Sequence, residues 1–309
     1  MEIIKQMRDS FIDRLYELAK QDSNIILISP DMTGLNLQKF RKNLSGQFIN
    51  SRPAEQNSLL VAAGLGLSGK KPYVYSITPF VTTRIHEFIK LEMGVMKTPI
   101  TIVGLGSGIS YVDSGPTHHA LEDIGMMRSI PNIEILSPSD TIMAAAFAER
   151  TSKSKNPAYV RLDRQVVPEI YNQNDRFEEG FKELKLGDKI CMVATGNMVH
   201  TALKVQEYFL KNNKNLGVID LYIIKPLNLE IINSLKKYKA IVTLEEHYLN
   251  GGIGSLISEL ITDNNLQLKL LRIGVKDAFV YEYGGRNNIH KKLGIDPDSV
   301  IEKINNLII

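Results

Sequence analysis

From one end of the chain to the other, short apolar strands alternate with helical segments, and nothing else in the sequence restricts the fold as much. The runs "NIILIS", "QFINS", "PYVYSI", "PITIVGL", "IEILSP" and "AYVRL" read as strands, with helices expected to begin near Leu35, Pro53, Phe80, Thr117 and Asp140. Such alternation builds a parallel sheet whose crossover helices cover its two faces. Over 166–189, "VVPEIYNQNDRFEEGFKELKLGDK", the pattern is lost, and "KICMVATG" restarts it. The runs "NLGVIDLYII", "AIVTLEEH" and "LKLLRIG" follow, with helices expected near 198–212, 229–238 and 252–264. The expectation is an α/β protein of two parallel-sheet domains, 1–166 and 189–309, joined by a linker over 167–188. A length of 309 residues suits two domains better than one.

Charge and cysteine content narrow the partners. The formal net charge is only +3 and no long Lys/Arg block occurs, so there is no electrostatic footprint for nucleic acid or an anionic membrane. The single cysteine, Cys191, cannot close an intramolecular disulfide, and no apolar run approaches the roughly 20 residues that span a bilayer. The N-terminal "MEIIKQMRDSFIDRLYELAKQ" places Phe11, Ile12, Leu15 and Leu18 among charges, an amphipathic helix and not a signal peptide. A cytoplasmic protein working on small molecules or with protein partners is expected.

Three glycine-rich stretches suggest nucleotide or anion binding and are judged by context. "GLGLSG" (64–69) follows the helical run "EQNSLLVAA", where a dinucleotide fingerprint needs a strand, so a helix-terminating loop is expected. "VGLGSG" (103–108) follows a strand but lacks a suitably spaced acid. "NGGIGS" (250–255) lies between a strand and a helix, where close packing of the turn is favoured over an anion site. His118 and His119, as helix neighbours, would point about 100° apart and cannot share a metal ion, and no G-x-S-x-G elbow is present. Glu55, in "SRPAEQNSLLVAAGL", falls in a first helical turn where the helix dipole favours a carboxylate, but Arg52 stands where a capping box needs Ser or Thr. Phe80 lies just past a strand end, the position at which open α/β sheets present ligands.

Taken together, "AEQN", "SITPFVTTR", "DSGPTHHALEDIGMMRSIPNIEILSPSD", "YVRLDRQ" and "EEHYLNGGIGS" occur in the order and spacing of the transketolase family of thiamine diphosphate enzymes. The chain resembles the C-terminal half of that family over nearly its whole length: a pyrimidine-binding domain followed by the transketolase C-terminal domain. The resemblance implies that Glu55 hydrogen-bonds the far nitrogen of the cofactor's aminopyrimidine and that Phe80 stacks on that ring, with Ile77 where a second aromatic is usual. It implies that His118 reaches the substrate from the G-P-T-H turn, neutral near pH 7 at a helix N-terminus, with His119 as helper or scaffold. Arg164, in "RLDRQ", matches an arginine that grips the acceptor's phosphate, a task suited to a guanidinium fork, and Arg161 either shares that role or pairs with a surface acid.

Two positions depart from the pattern. Ser114 stands where transketolases carry an acid before G-P-T-H, with Asp113 one position early, and Gly106 replaces a histidine; both family residues contact hydroxyls of the ketose donor. The G-D-G and later Asn that hold magnesium and the diphosphate do not occur as a motif here. The resemblance therefore implies a split enzyme: a small subunit that transfers a two-carbon ketol unit between sugar phosphates once a separate chain supplies the magnesium and diphosphate site, in an α2β2 assembly. The alternatives are the β subunit of a 2-oxo acid dehydrogenase, a synthase of the deoxyxylulose phosphate type, or a non-catalytic regulatory paralogue.

Overall fold

The computed structural model describes residues 5–30, 32 and 34–307, with the side chain of Leu35 left aside; the start of the expected N-terminal helix, residues 1–4, lies outside the described residues. Twelve strands are described: β1 (Ile25–Ser29), β2 (Phe48–Asn50), β3 (Lys71–Ile77), β4 (Thr101–Leu105), β5 (Glu134–Leu136), β6 (Ala158–Leu162), β7 (Phe181–Lys185), β8 (Ile190–Ala194), β9 (Gly217–Leu221), β10 (Ile223–Lys225), β11 (Ala240–Tyr248) and β12 (Lys269–Val275). They form two sheets, a seven-stranded one in the order β10-β5-β6-β4-β3-β1-β2 and a five-stranded one in the order β12-β11-β8-β9-β7. Pairing is parallel except where β10 meets β5 and where β7 meets β9. The central strands β1, β4 and β6 are buried at every position, as strands covered by helices on both faces must be, and this is why they read as unbroken apolar runs.

Helices close the first sheet as the periodicity anticipates. Met7–Gln21 buries Phe11, Ile12 and Leu15 and packs against Thr141–Lys153. Asp140 caps the latter helix by accepting from the Met143 N–H at 2.8 Å, and its other oxygen accepts from the N–H groups of Ile170 and Tyr171, fixing the chain that leaves the first sheet. Among the described residues no helix is long and apolar enough to cross a membrane.

Three local expectations are corrected. The helix expected from Thr117 begins only at Asp123, because Gly108 and Ala120 exchange backbone hydrogen bonds of 2.8 and 3.1 Å and pull "GPTHHALED" back as a loop along the end of β4. The polar stretch expected to be wholly linker contains β7, an edge strand whose pattern is only partly buried. "NLGVIDLYII" is two strands in different sheets: after β9 the chain crosses over, and β10 pairs Ile223 with Leu136 at the edge of the first sheet. The two sheets are thereby stitched into one body, and the strand ends at which a site forms are held in fixed register.

Candidate active site

Glu55 opens the helix Glu55–Leu67, whose preceding residue, Ala54, offers no side-chain cap. The Glu55 side chain is 6% exposed and does not fold back onto its own helix; its Oε2 accepts from Arg84 Nη1 at 2.9 Å. Arg84 lies in the tight turn Thr83–Ile85, one step beyond the short helix Thr78–Val81 that lifts Phe80 from the C-terminal end of β3. Its guanidinium carbon sits 4.0 Å from the centre of the Phe80 ring. The edge of Phe80 meets the His118 ring at 5.2 Å between centroids, His118 meets Tyr111 at 5.7 Å, and the Arg164 guanidinium covers Tyr111 at 4.0 Å. Four of the residues singled out in the sequence, Glu55, Phe80, His118 and Arg164, thus lie on one continuous surface. The fifth, Ser114, is exposed and lines, with Tyr111, Asp113, Arg164 and Arg286, a cavity of about 340 Å³. A larger cavity of about 570 Å³ opens beside the helix Met7–Gln21, but it is lined by surface ion-pairing residues such as Lys5 and Asp13 and by no such convergent set.

His118 is half-buried, and its Nδ1 lies 2.9 Å from Thr117 Oγ1. Burial, followed by the nearby Arg84 charge, lowers its pKa, so the ring is neutral near pH 7. The expected neutrality is present, but its cause differs: no helix N-terminus lies at this residue. His119 is 3% exposed and lies in the field of Glu246. Arg161 takes no part in the open surface. Fully buried, its Nε donates to Asp123 Oδ2 at 2.7 Å beside the Tyr159 hydroxyl at 2.6 Å, and its Nη2 reaches the Glu246 carbonyl at 3.2 Å. The acid it pairs with is an interior one.

Of the glycine motifs, "GLGLSG" ends the helix Glu55–Leu67, with Gly69 at φ +84° just beyond it, and the other two resolve as packing. Gly108 lies so close to Glu246 that a Cβ would overlap its carboxylate, which accepts the Ile109 N–H at 3.1 Å. At "NGGIGS" the helix Ile253–Asp263 does attract a carboxylate, the protein's own: Glu245 accepts from the N–H groups of Ile253 and Gly254 at 2.7 and 2.9 Å. The replacement of the family histidine by Gly106 is explained by Tyr111, whose ring lies over Gly106 (φ +89°) where any side chain would stand.

Arg84, Tyr111 and Glu122 escaped the reading of the sequence. Glu122 accepts from Thr83 Oγ1 at 3.0 Å, and burial together with the neighbouring Asp123 raises its pKa. Its acid stands in "GPTHHALED"; Arg84 closes the motif "SITPFVTTR" and Tyr111 precedes "DSGPTHHALED", but neither position carries a local signal of its contacts. Among the described residues no group of three His, Cys, Asp or Glu side chains could hold a metal ion.

A twin-sheet α/β chain thus aligns a carboxylate, an aromatic face, an imidazole and an arginine on one surface at its strand ends. Its sequence matches the family models described as transketolase, pyrimidine binding domain, over residues 5–169, and transketolase, C-terminal domain, over residues 180–300, and the chain belongs to the transketolase family. It is 32% identical to the putative transketolase C-terminal section of Methanocaldococcus jannaschii, covering 98% of this chain and 96% of that one. It is 30% identical to a subunit of the apulose-4-phosphate transketolase of Actinobacillus succinogenes, covering 98% of each. A solved structure described as split gene transketolase, inactive beta4 tetramer, superposes with a TM-score of 0.88 at 28% identity over 97% of both chains.

Proposed function

We propose that the chain is the smaller subunit of a two-chain, thiamine diphosphate-dependent transketolase that transfers a two-carbon ketol unit between sugar phosphates. The observation that carries this reading is the convergence of Glu55, Phe80 and His118 in a chain similar over its full length to transketolase subunits named as such. The residues fit the pyrimidine half of the cofactor: a planar cationic donor, the Arg84 guanidinium, already lies on the Phe80 face and bonds Glu55, and an aminopyrimidine offers a planar ring with donor and acceptor nitrogens to the same two partners. When bound, thiamine diphosphate supplies the carbon acid that takes up the ketol fragment; Glu55 holds the proton at the ring nitrogen, Phe80 orients the ring, and neutral His118 exchanges a proton with a substrate hydroxyl. Arg164, beside the 340 Å³ cavity, grips the acceptor's phosphate, and Ser114 at the cavity edge contacts the donor.

Magnesium and the diphosphate fall to the partner subunit, since this sequence carries no G-D-G motif. The similar split-gene chain, described as inactive in its beta4 form, supports the need for a partner, and an α2β2 assembly follows if two such pairs meet about a twofold axis. The test is Glu55→Gln in the enzyme reconstituted with its partner. Turnover falls by roughly 10² to 10⁴, the range for a positioned acid or base, with the assembly intact by size-exclusion chromatography. Near-unchanged turnover would remove Glu55 from the mechanism.

A further inference from the structure

Arg84 does something the ketol-transfer reading does not need. Its guanidinium lies 4.0 Å over the Phe80 ring while donating to Glu55 at 2.9 Å, so it uses the one aromatic face and the one carboxylate that the proposed function assigns to the aminopyrimidine. Two planar groups cannot lie on the same side of one ring at that separation and also bond the same carboxylate. A guanidinium and an aminopyrimidine share the properties this site selects: flatness, a delocalised π system, and N–H donors in the ring plane.

We propose that Arg84 is the resident occupant of the pyrimidine half-site: in the chain without partner and cofactor it closes the space between Phe80 and Glu55, and it swings out as the ring enters. The inference rests on the reading of Glu55 and Phe80 given above and adds to it a self-occluded resting state. The placement of Arg84 suits a plug that must leave. Its side chain is 44% exposed, it stands on a short turn and not inside a long helix, and among the described residues it has one carboxylate partner. Departure therefore breaks one ion pair and one stacking contact and strands no buried donor. The cofactor and partner displace it because together they offer the site more contacts than one side chain does, and only that difference in affinity moves the equilibrium. A site closed for most of the time binds its ligand more weakly in proportion to the open fraction, so occlusion keeps the unpartnered chain from capturing stray flat cations.

The experiment uses the full chain without partner and, as probe, 4-amino-5-hydroxymethyl-2-methylpyrimidine, the cofactor's ring without its diphosphate. Affinity is measured by ligand-observed NMR or calorimetry for the parent, Arg84→Ala, Arg84→Lys, Glu55→Ala and the Glu55→Ala/Arg84→Ala double variant. The expected result is binding about five- to tenfold tighter in Arg84→Ala than in the parent, as for a site relieved of a mostly closed state. Arg84→Lys, which keeps the charge but loses the planar stack, falls between the two, and affinity is lost when Glu55→Ala is added. In the parent, the Arg84 Nε–H signal starts shifted by the Phe80 ring current and moves to its free position as the probe saturates. Equal or weaker binding by Arg84→Ala with Glu55 still required, or an Arg84 signal unmoved at saturation, would overturn the occupant and leave the half-site reading standing. Probe binding that ignores Glu55 in both backgrounds, or no binding to any variant, would overturn the half-site reading and the occupant with it.

Discussion

Two arginine–carboxylate clusters in this molecule are built to opposite ends. At the seam between the sheets, Arg286 is 8% exposed and every direction of its fork is used: Nε donates to Glu246 at 2.8 Å, Nη1 to Asp163 at 2.9 Å and to Gln165 at 3.1 Å, and Nη2 to Asp163 at 2.6 Å and to Glu246. Glu246 also pairs with His290, and Asp163 takes the Ser107 hydroxyl at 3.2 Å. At the half-site, Arg84 has one carboxylate and solvent on its other side. The seam fixes where β6 and β11 end, and hence where Arg164 and the loop carrying Tyr111 and His118 stand. The half-site is left with a contact that can be exchanged. Rigidity here is a matter of how many partners a charge has and whether water can replace them, more than of charge pairing itself.

The largest effect is expected from breaking the seam. Arg286→Met keeps much of the volume but strands the carboxylates of Asp163 and Glu246, which are 1% and 2% exposed. Removing one member of a buried ionic network costs about 3 to 5 kcal/mol, to be read as a lowered midpoint in urea unfolding of the isolated chain. An unchanged midpoint would mean that water reaches the seam and that the contrast with the half-site is false. Acid acts on the same seam: burial by itself would raise the Glu246 pKa, but the adjacent Arg286 charge outweighs it and holds the group below the usual range. Its share of stability is therefore present above about pH 4.5 and is lost as the pH falls further.

Gly106 lies between the two regions and sharpens the contrast. Its positive φ and the Tyr111 ring above it make Gly106→Ala both strained and overpacked, a cost of about 1 to 3 kcal/mol. Tyr111 also touches His118 and Arg164, so the lost stability should come with disturbed substrate contacts. Unfolding midpoints and KM for the phosphorylated acceptor, measured on the same reconstituted preparation, separate the two.

A smaller effect comes from Asp220, where the linker and both sheets meet. It is fully buried and accepts from Ser139 at 2.5 Å and Tyr171 at 2.9 Å; its pKa is raised to about 7, by burial first and with the Asp140 charge adding to it. The folded chain therefore keeps a proton that the unfolded chain has released above its ordinary value of 3.8. That contribution is whole below about pH 4 and is lost as the pH rises through 7, so stability declines by about 1 kcal/mol between pH 6 and 8 on this account. Asp220→Asn should flatten that decline in thermal melts taken across the range. Glu245, also raised to about 7 by burial, contributes in the same direction and leaves a residual slope.

How far the sequence reached follows from which signals are local. Strands buried on both faces announce themselves as continuous apolar runs, which is why β1, β4, β6, β8 and β11 were legible. β7, "FKELK", is an edge strand with one half-wet face and carries almost no such signal. "GPTHHALED" has the turn, the cap and the apolar spacing of a helix start, but a pairing between Gly108 and Ala120 decides its shape, and no local pattern reports a bond across that distance. Among the site residues, Glu55, Phe80, His118 and Arg164 stand inside recognisable motifs. Arg84 acts through a carboxylate 29 positions earlier and Tyr111 through the absence of a side chain at Gly106, so neither shows until the chain is folded.

The smallest expected effect is the one that measures the comparison. Arg84→Ala removes an ion pair whose arginine is nearly half exposed, and such pairs contribute about 0 to 1 kcal/mol once screening and side-chain entropy are counted. Glu55 is itself almost buried in the parent, but the group that covers it is the one being deleted. Water then enters the vacated space and solvates the carboxylate, whereas Asp163 and Glu246, at 1% and 2% exposure, lie beside an arginine that is itself only 8% exposed. The unfolding midpoint of Arg84→Ala should therefore lie within about 1 kcal/mol of the parent, and raising the salt concentration should narrow the gap further. The difference between the two arginine deletions, read in one denaturant series on the same chain, is the free energy that separates a sealed ionic network from an exchangeable one. A loss for Arg84→Ala as large as that for Arg286→Met would show that Arg84 is a fixed strut, and the half-site would then have to open by some other residue.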